Sequence, residues 1–224
     1  MAVDANFDLE TELYAAGRRV IVGIDEVGRG AWAGCVTVGA AVAGSSSVAG
    51  LRDSKLLNAR QRVERLATVH GWSPRVALGH ASAVEIDELG MTAALRLAAT
   101  RALAELASAG FEPDIVLLDG KHDYLRLRDV EVMTLVKGDL RVQTIAAASI
   151  VAKVWRDAHL AELAVEYPQY GFESNAGYPA PAHLAGLDGH GLCAIHRQSW
   201  VFAEGRAGRV RWPRDQQAEA VSLF

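Results

Sequence analysis

The stretch Val20–Gly34, VIVGIDEVGRGAWAG, constrains this chain more than any other. It opens as an apolar run of the kind a buried strand needs. It then meets two adjacent carboxylates, Asp25 and Glu26, and turns at once through Gly28-Arg29-Gly30. A hydrophobic core has no inexpensive way to hold two unpaired negative charges. Acids at the end of a buried strand therefore predict a site, and the rest of the chain is read for what converges on them.

Hydrophobic patterning supplies the frame. Arg19–Ile24 and Cys35–Ala43 read as two strands joined by a short turn, hence antiparallel. Asn58–Val69 is amphipathic and predicts a helix with Asn58 as its N-cap. Arg75–Ala81 is a third strand, Asp87–Gly90 is expected to break the chain, and Thr92–Ala109 predicts a helix ended by Gly110. Ile115–Leu118 is a continuous apolar run of the fully buried type, stopping at Asp119-Gly120. Val130–Val136 is the fifth strand, and Gln143–Val165 a long helix closed by Tyr167-Pro168. Beyond it, Gln169–Phe202 is punctuated by Gly and Pro, with a short helix near Ala182–Leu187. This order predicts an α/β domain with a mixed five-stranded sheet flanked by helices. Two of its buried strands end in acid, and strand ends are where such sheets put their chemistry.

Composition narrows the setting. At 224 residues the chain suits one sizeable domain with a small appendage. No apolar run is long enough to cross a membrane, and the acidic start MAVDANFDLETELY lacks a signal-peptide pattern. The only cysteines, Cys35 and Cys193, have no metal spacing. A cytoplasmic protein, monomeric and with no membrane partner, is the expectation. The net charge of −4 points away from nucleic acid, but local clusters matter more, and Arg206, Arg209, Arg211 and Arg214 form one.

On the long helix, at about 100° per residue, Ser149, Lys153, Arg156 and Asp157 share an arc of roughly 100°. Ala147, Ile150, Val151, Val154 and Ala158 take the opposite, apolar side. By itself this is the pattern of a solvated helix face. Alongside Asp25, Glu26 and Asp119 it suggests a four-carboxylate site without cysteine, suited to hard cations such as Mg²⁺ or Mn²⁺. Two such ions about 4 Å apart would activate water and stabilise the leaving oxygen of a phosphodiester.

The motifs GIDEVGRG, DSKLL, LLDG, AAASIVAKVWRD, YPQYGF, NAGYP and HRQSW follow in this order over about residues 19–202. Together they resemble those of type 2 ribonuclease H, ribonuclease HII. The resemblance implies an RNase H-like catalytic domain over 18–166, after an N-terminal arm over 1–17. A C-terminal helical extension over 167–204 would complete the substrate site, ahead of a basic then polar tail over 205–224. It implies cleavage of RNA in RNA–DNA hybrids and 5′ to single ribonucleotides in duplex DNA, leaving 3′-hydroxyl and 5′-phosphate ends. Asp25, Glu26, Asp119 and Asp157 match that family's metal-binding catalytic carboxylates. Gly28, Arg29 and Gly30 match the turn whose backbone reads a ribose 2′-hydroxyl, the group that separates RNA from DNA. Tyr178 matches a tyrosine that packs on the junction sugar. Lys55, Lys137, Ser149 and Lys153 sit in motifs resembling phosphate contacts. His183 and His196 match positions compatible with helix anchoring or phosphate contact, whereas His70, His80, His122, His159 and His190 show no metal spacing.

Ala31-Trp32, Cys35 and Ala180 depart from the family's usual residues without removing a metal ligand. Two other readings compete. Gly28–Gly34 is a near miss to a dinucleotide-binding loop, but a β-type segment follows where that fingerprint needs a helix. A non-catalytic nucleic-acid-binding protein on the same fold would be expected to lack at least one of the four acids. Finally, Ala220–Phe224 resembles a peptide that docks on sliding clamps, here through Val221–Phe224 with the Leu223-Phe224 pair as the anchor.

Overall fold

The apolar run at the head of the chain does become the middle of a sheet. In the computed structural model, which describes residues 4–51, 54 and 57–201, five strands line up. They are β1 (Ile21–Val27), β2 (Val36–Val42), β3 (Val76–Ala81), β4 (Ile115–Asp119) and β5 (Glu131–Leu135), in the order β3-β2-β1-β4-β5. β1 runs antiparallel to β2 and parallel to β4, and β4 parallel to β5. The sheet is mixed, as expected. The helices are α1 (Asp8–Ala15), α2 (Ala59–Trp72), α3 (Ala83–Leu89), α4 (Met91–Ser108), α5 (Gln143–Glu166), α6 (Phe172–Asn175) and α7 (Pro181–His190). No described helix is long and apolar enough to cross a membrane.

The chain divides into two compact units. The first comprises 1–27, 37–80 and 95–155, and holds the sheet. Its organising contact is α5 on β1 and β2. A β-carbon at Gly23 would overlap the Thr144 carbonyl carbon, and one at Gly39 would overlap the Ala148 carbonyl oxygen. Thr144, Ala148 and Ala152 form one ridge of the helix at four-residue spacing, so the glycines are a groove into which that ridge fits. Residues 142–152 are buried all round. α4 packs on β3, where a β-carbon at Gly79 would strike the Ala98 carbonyl. Asn58 caps α2, as the sequence predicts, and the structure adds the reciprocal half of a capping box from Gln61.

The N-terminal arm is a helix tied to this unit. Glu10, fully buried, accepts hydrogen bonds at Oε1 from the Thr144 N–H and hydroxyl at 2.9 and 2.7 Å. It thereby satisfies a donor in the first turn of α5. Burial raises its carboxyl above the usual range.

The second unit comprises, among the described residues, 28–36, 81–94 and 156–201. Ala33, Leu160, Ala164, Tyr170, Phe172 and Leu187 are among its buried core. The expected break at Asp87–Gly90 is instead the end of α3, a helix the sequence reading missed. Ser82 and Glu85 form its capping box, and Gly90 closes it at φ 76°. The S-x-x-E signature is present in the sequence, directly after the strand.

Candidate active site

Strand register brings the first acids together. The last parallel pair between β1 and β4 is Ile24↔Leu118, so Asp25 and Asp119 are the next residues on neighbouring strands. Parallel strands in register point equivalent side chains to one face, about 4.8 Å apart. Gly23, two residues before Asp25, faces α5, so Asp25 and Asp119 lie on the face that carries that helix. Asp25 is 3 % exposed and accepts the Glu26 N–H at Oδ1, at 2.8 Å. Asp119 Oδ1 accepts the Gly138 N–H at 2.7 Å. That N–H is aimed by Lys137, a non-glycine residue held in the left-handed region at φ 55°. Glu26 alternates to the other face, where the Tyr124 hydroxyl reaches its Oε2 at 3.5 Å.

The other expected residues fall in several environments. Lys137 is exposed and Lys153 half-buried. Ser149 is 2 % exposed, with its hydroxyl 2.9 Å from that of Ser54. Asp157 is half-buried, one turn beyond Lys153 on α5. The polar arc assigned to this helix needs correction: Ser149 and Arg156 are buried, whereas Ala158, assigned to the apolar side, is exposed. Angular position identifies a face, but the first half of α5 has no solvated face. Lys55, the arginine cluster 206–214 and the peptide Ala220–Phe224 lie outside the described residues.

The second unit builds the glycine turn. Gly28 has φ 86°, and a β-carbon there would overlap Arg156 Nε. Its N–H donates to the Tyr178 hydroxyl at 3.2 Å, while Arg29 and Gly30 are exposed. Two buried guanidiniums, which the sequence reading did not place in the site, hold this segment. Arg156 donates to the carbonyls of Cys35, Ala176 and Ala33 at 2.9, 2.8 and 3.1 Å, and lies 5.5 Å from the Tyr178 ring centre. Arg197 donates to the carbonyls of Gly28, Arg29 and Gly34. Both stand in the quoted motifs, but nothing in a sequence reveals that a cation will be buried against backbone carbonyls.

Behind Tyr178 runs a buried chain of hydrogen bonds with only one self-consistent polarity. The Cys193 N–H donates to His196 Nδ1 at 2.9 Å, so that nitrogen is an acceptor and His196 carries its proton on Nε2. That proton goes to His183 Nε2, 2.9 Å away, leaving His183 to donate from Nδ1 to the Tyr178 carbonyl at 2.9 Å. Both rings must be neutral. Burial holds both below the usual histidine range, His196 down to about 3 with the neighbouring His183 adding to the effect. Burial likewise pushes the Cys193 thiol up to about 12, making it a packing residue.

The sign of the resulting pH dependence follows. The unfolded chain protonates His196 near 6.5, and the folded chain only near 3. The contribution to stability is complete above about pH 6.5 and shrinks as pH falls towards 3. At about pH 5 the expected loss from His196 is about 2 kcal/mol. Urea unfolding at neutral pH and at about pH 5 measures it, and His196→Asn, with no imidazole to protonate, should lose that part of the slope.

Among the described residues, no three His, Cys, Asp or Glu side chains form a ready metal cage. The donors abreast on β1 and β4 are nevertheless all oxygen, the chemistry that Mg²⁺ and Mn²⁺ take.

Comparison with known proteins gives this arrangement its family. The sequence profile of Ribonuclease HII matches residues 22–203. Ribonuclease HII of Streptomyces avermitilis is 52 % identical over 189 residues, covering 84 % of this chain and 79 % of the relative. Among solved structures, the PCNA:RNase HII complex from Archaeoglobus fulgidus matches with TM-score 0.66 and 22 % identity, covering 88 % of this chain and 99 % of that one. Bst-RNase HIII in complex with Mn²⁺ matches with TM-score 0.63 and 20 % identity, covering 84 % and 69 %. The chain belongs to the ribonuclease HII family, and the activity that goes with that membership is that of a ribonuclease H, an endonuclease.

Proposed function

We propose that the protein is a metal-dependent endoribonuclease that hydrolyses the RNA strand of RNA–DNA hybrids and cuts 5′ to single ribonucleotides embedded in duplex DNA. The ends left would be a 3′-hydroxyl and a 5′-phosphate, as ribonucleotide removal during replication and repair requires. The observation that carries this reading is the pair Asp25 and Asp119 abreast on one face, with a glycine turn, entered through Gly28 at positive φ, beginning three residues after Asp25.

Asp25, Glu26, Asp119 and Asp157 would hold Mg²⁺ or Mn²⁺, with two ions as the expected number. Support for Glu26, which β1 turns to the face opposite Asp25 and Asp119, and for Asp157 comes from their motifs alone. When bound, such ions supply an activated water and charge stabilisation for the leaving oxygen. The protein's own part is orientation. Gly138 fixes the rotation of the Asp119 carboxylate, and the Glu26 N–H fixes that of Asp25. Holding the acids before substrate arrives removes reorganisation from the chemical step. Gly28, Arg29 and Gly30 would bring backbone against the ribose, a close approach that glycine allows. Tyr178, whose hydroxyl already engages Gly28, would pack on the same sugar. Lys55, Lys137, Ser149 and Lys153 are proposed phosphate contacts.

The deciding experiment is nicking of a labelled DNA duplex carrying one ribonucleotide. Cleavage on its 5′ side is expected with Mg²⁺ or Mn²⁺ and none after chelation; folded protein that leaves the duplex intact with both ions would overturn the reading. Docking on a sliding clamp through Val221–Phe224 is a separate proposal, prompted by the peptide and by a fold neighbour solved with PCNA. Unchanged clamp pull-down after removal of the last five residues would refute it.

A further inference from the structure

We infer that Arg197 is a positioning residue that sets the polarity of the Gly28-Arg29-Gly30 turn, presenting its amides to the ribonucleotide. This rests on the reading of that turn as the ribose sensor. Arg197 is fully buried. Its Nη2 donates to the Gly28 carbonyl at 2.6 Å and the Gly34 carbonyl at 3.2 Å, and its Nη1 to the Arg29 carbonyl at 2.8 Å. In a trans peptide the C=O and the following N–H point opposite ways. Drawing the carbonyls of Gly28 and Arg29 onto one guanidinium therefore turns the N–H groups of Arg29 and Gly30 the other way. Both residues are exposed. Successive amides turned outward form a concave patch of partial positive charge suited to oxygen acceptors.

Gln198, Ser199 and Trp200 of the HRQSW motif serve the same guanidinium. The N–H groups of Gln198 and Ser199 and the Ser199 hydroxyl all donate to the Asp87 carboxylate, at 2.7, 3.1 and 2.6 Å. Asp87 lies on α3, so this helix end anchors the segment carrying Arg197. The guanidinium also sits 4.9 Å from the centre of the Trp200 ring. The Arg197 N–H, for its part, donates to the Trp32 carbonyl at 2.9 Å. A lysine at 197 would keep the charge but lose the planar fork that reaches Gly28, Arg29 and Gly34 together.

The test is equilibrium binding by the full chain, without divalent ions, of a DNA duplex carrying one ribonucleotide and of the same duplex in DNA alone. In Arg197→Lys the preference for the ribonucleotide duplex is expected to fall about tenfold, the scale of losing a charge-assisted hydrogen bond. In cleavage, KM for that duplex should rise more than kcat falls. A folded Arg197→Lys protein with wild-type preference would overturn the inference. Should that variant not fold, the wild type still decides. The Gly30 amide resonance should shift, and its exchange slow, with the ribonucleotide duplex and not with the all-DNA duplex. Equal responses to both duplexes, or none, would overturn it. A wild type without ribonucleotide preference would instead overturn the functional reading beneath.

Discussion

Asp119→Asn is expected to lower turnover by on the order of a thousandfold, the scale of losing one preorganised charge-stabilising group. The substitution changes one oxygen to an amide on a side chain whose place is set by β4 and by the Gly138 N–H. The amide oxygen can still accept that N–H, so the local fold should survive. What is lost is negative charge beside Asp25, and with it, on the proposed function, the hold on a divalent ion. Affinity for an RNA–DNA hybrid should change little, because a carboxylate repels phosphate and its removal takes away no attractive contact. Turnover at fixed hybrid saturation, with binding measured separately, gives the answer. Binding lost together with turnover would assign Asp119 a structural role.

The second large effect concerns stability. Arg156→Met keeps similar length and apolar volume but deletes three donors at once. The carbonyls of Ala33, Cys35 and Ala176 would be left without the guanidinium that serves them. The expected cost is roughly 3–5 kcal/mol, since each buried carbonyl left without a donor costs about 1–3 kcal/mol and the loss of the buried charge offsets part of the sum. A shift of that size in the urea midpoint, at unchanged slope, is the measurement. A loss under about 1 kcal/mol would mean that other groups or water take over the carbonyls.

These two residues mark how far the sequence could be read. Asp119 was legible because a continuous apolar run, Ile115–Leu118, stops on it, and a strand buried on both faces has few other ways to be written. The pairing of Ile24 with Leu118, which sets Asp25 beside Asp119, was not legible. Register depends on side chains meeting across strands, and no single strand contains that information. Arg156 shows a different limit. It stood on the polar arc of α5 by angle, and an arginine there reads as solvated. It is fully buried because backbone carbonyls converge on it from Ala33, Cys35 and Ala176, distant in sequence. The Asn58 cap of α2 was readable since cap and first turn are adjacent in sequence. The capping box of α3 is equally local but follows directly on a strand, so no separate helical period announces it. The tautomers of His183 and His196 required the full chain of bonds from Cys193 to Tyr178.

The alternation of β1 makes length, and not only composition, a condition of the chemistry. Gly23 must face the Thr144 ridge, or the helix cannot seat, and Asp25 follows on the same face two residues later. One residue inserted between them would leave every amino acid of the motif present while turning the carboxylate to the opposite side of the sheet. Engineering of this strand is therefore bound at Gly23 and Asp25 in what those positions contain, and along the stretch between them in how many residues there are.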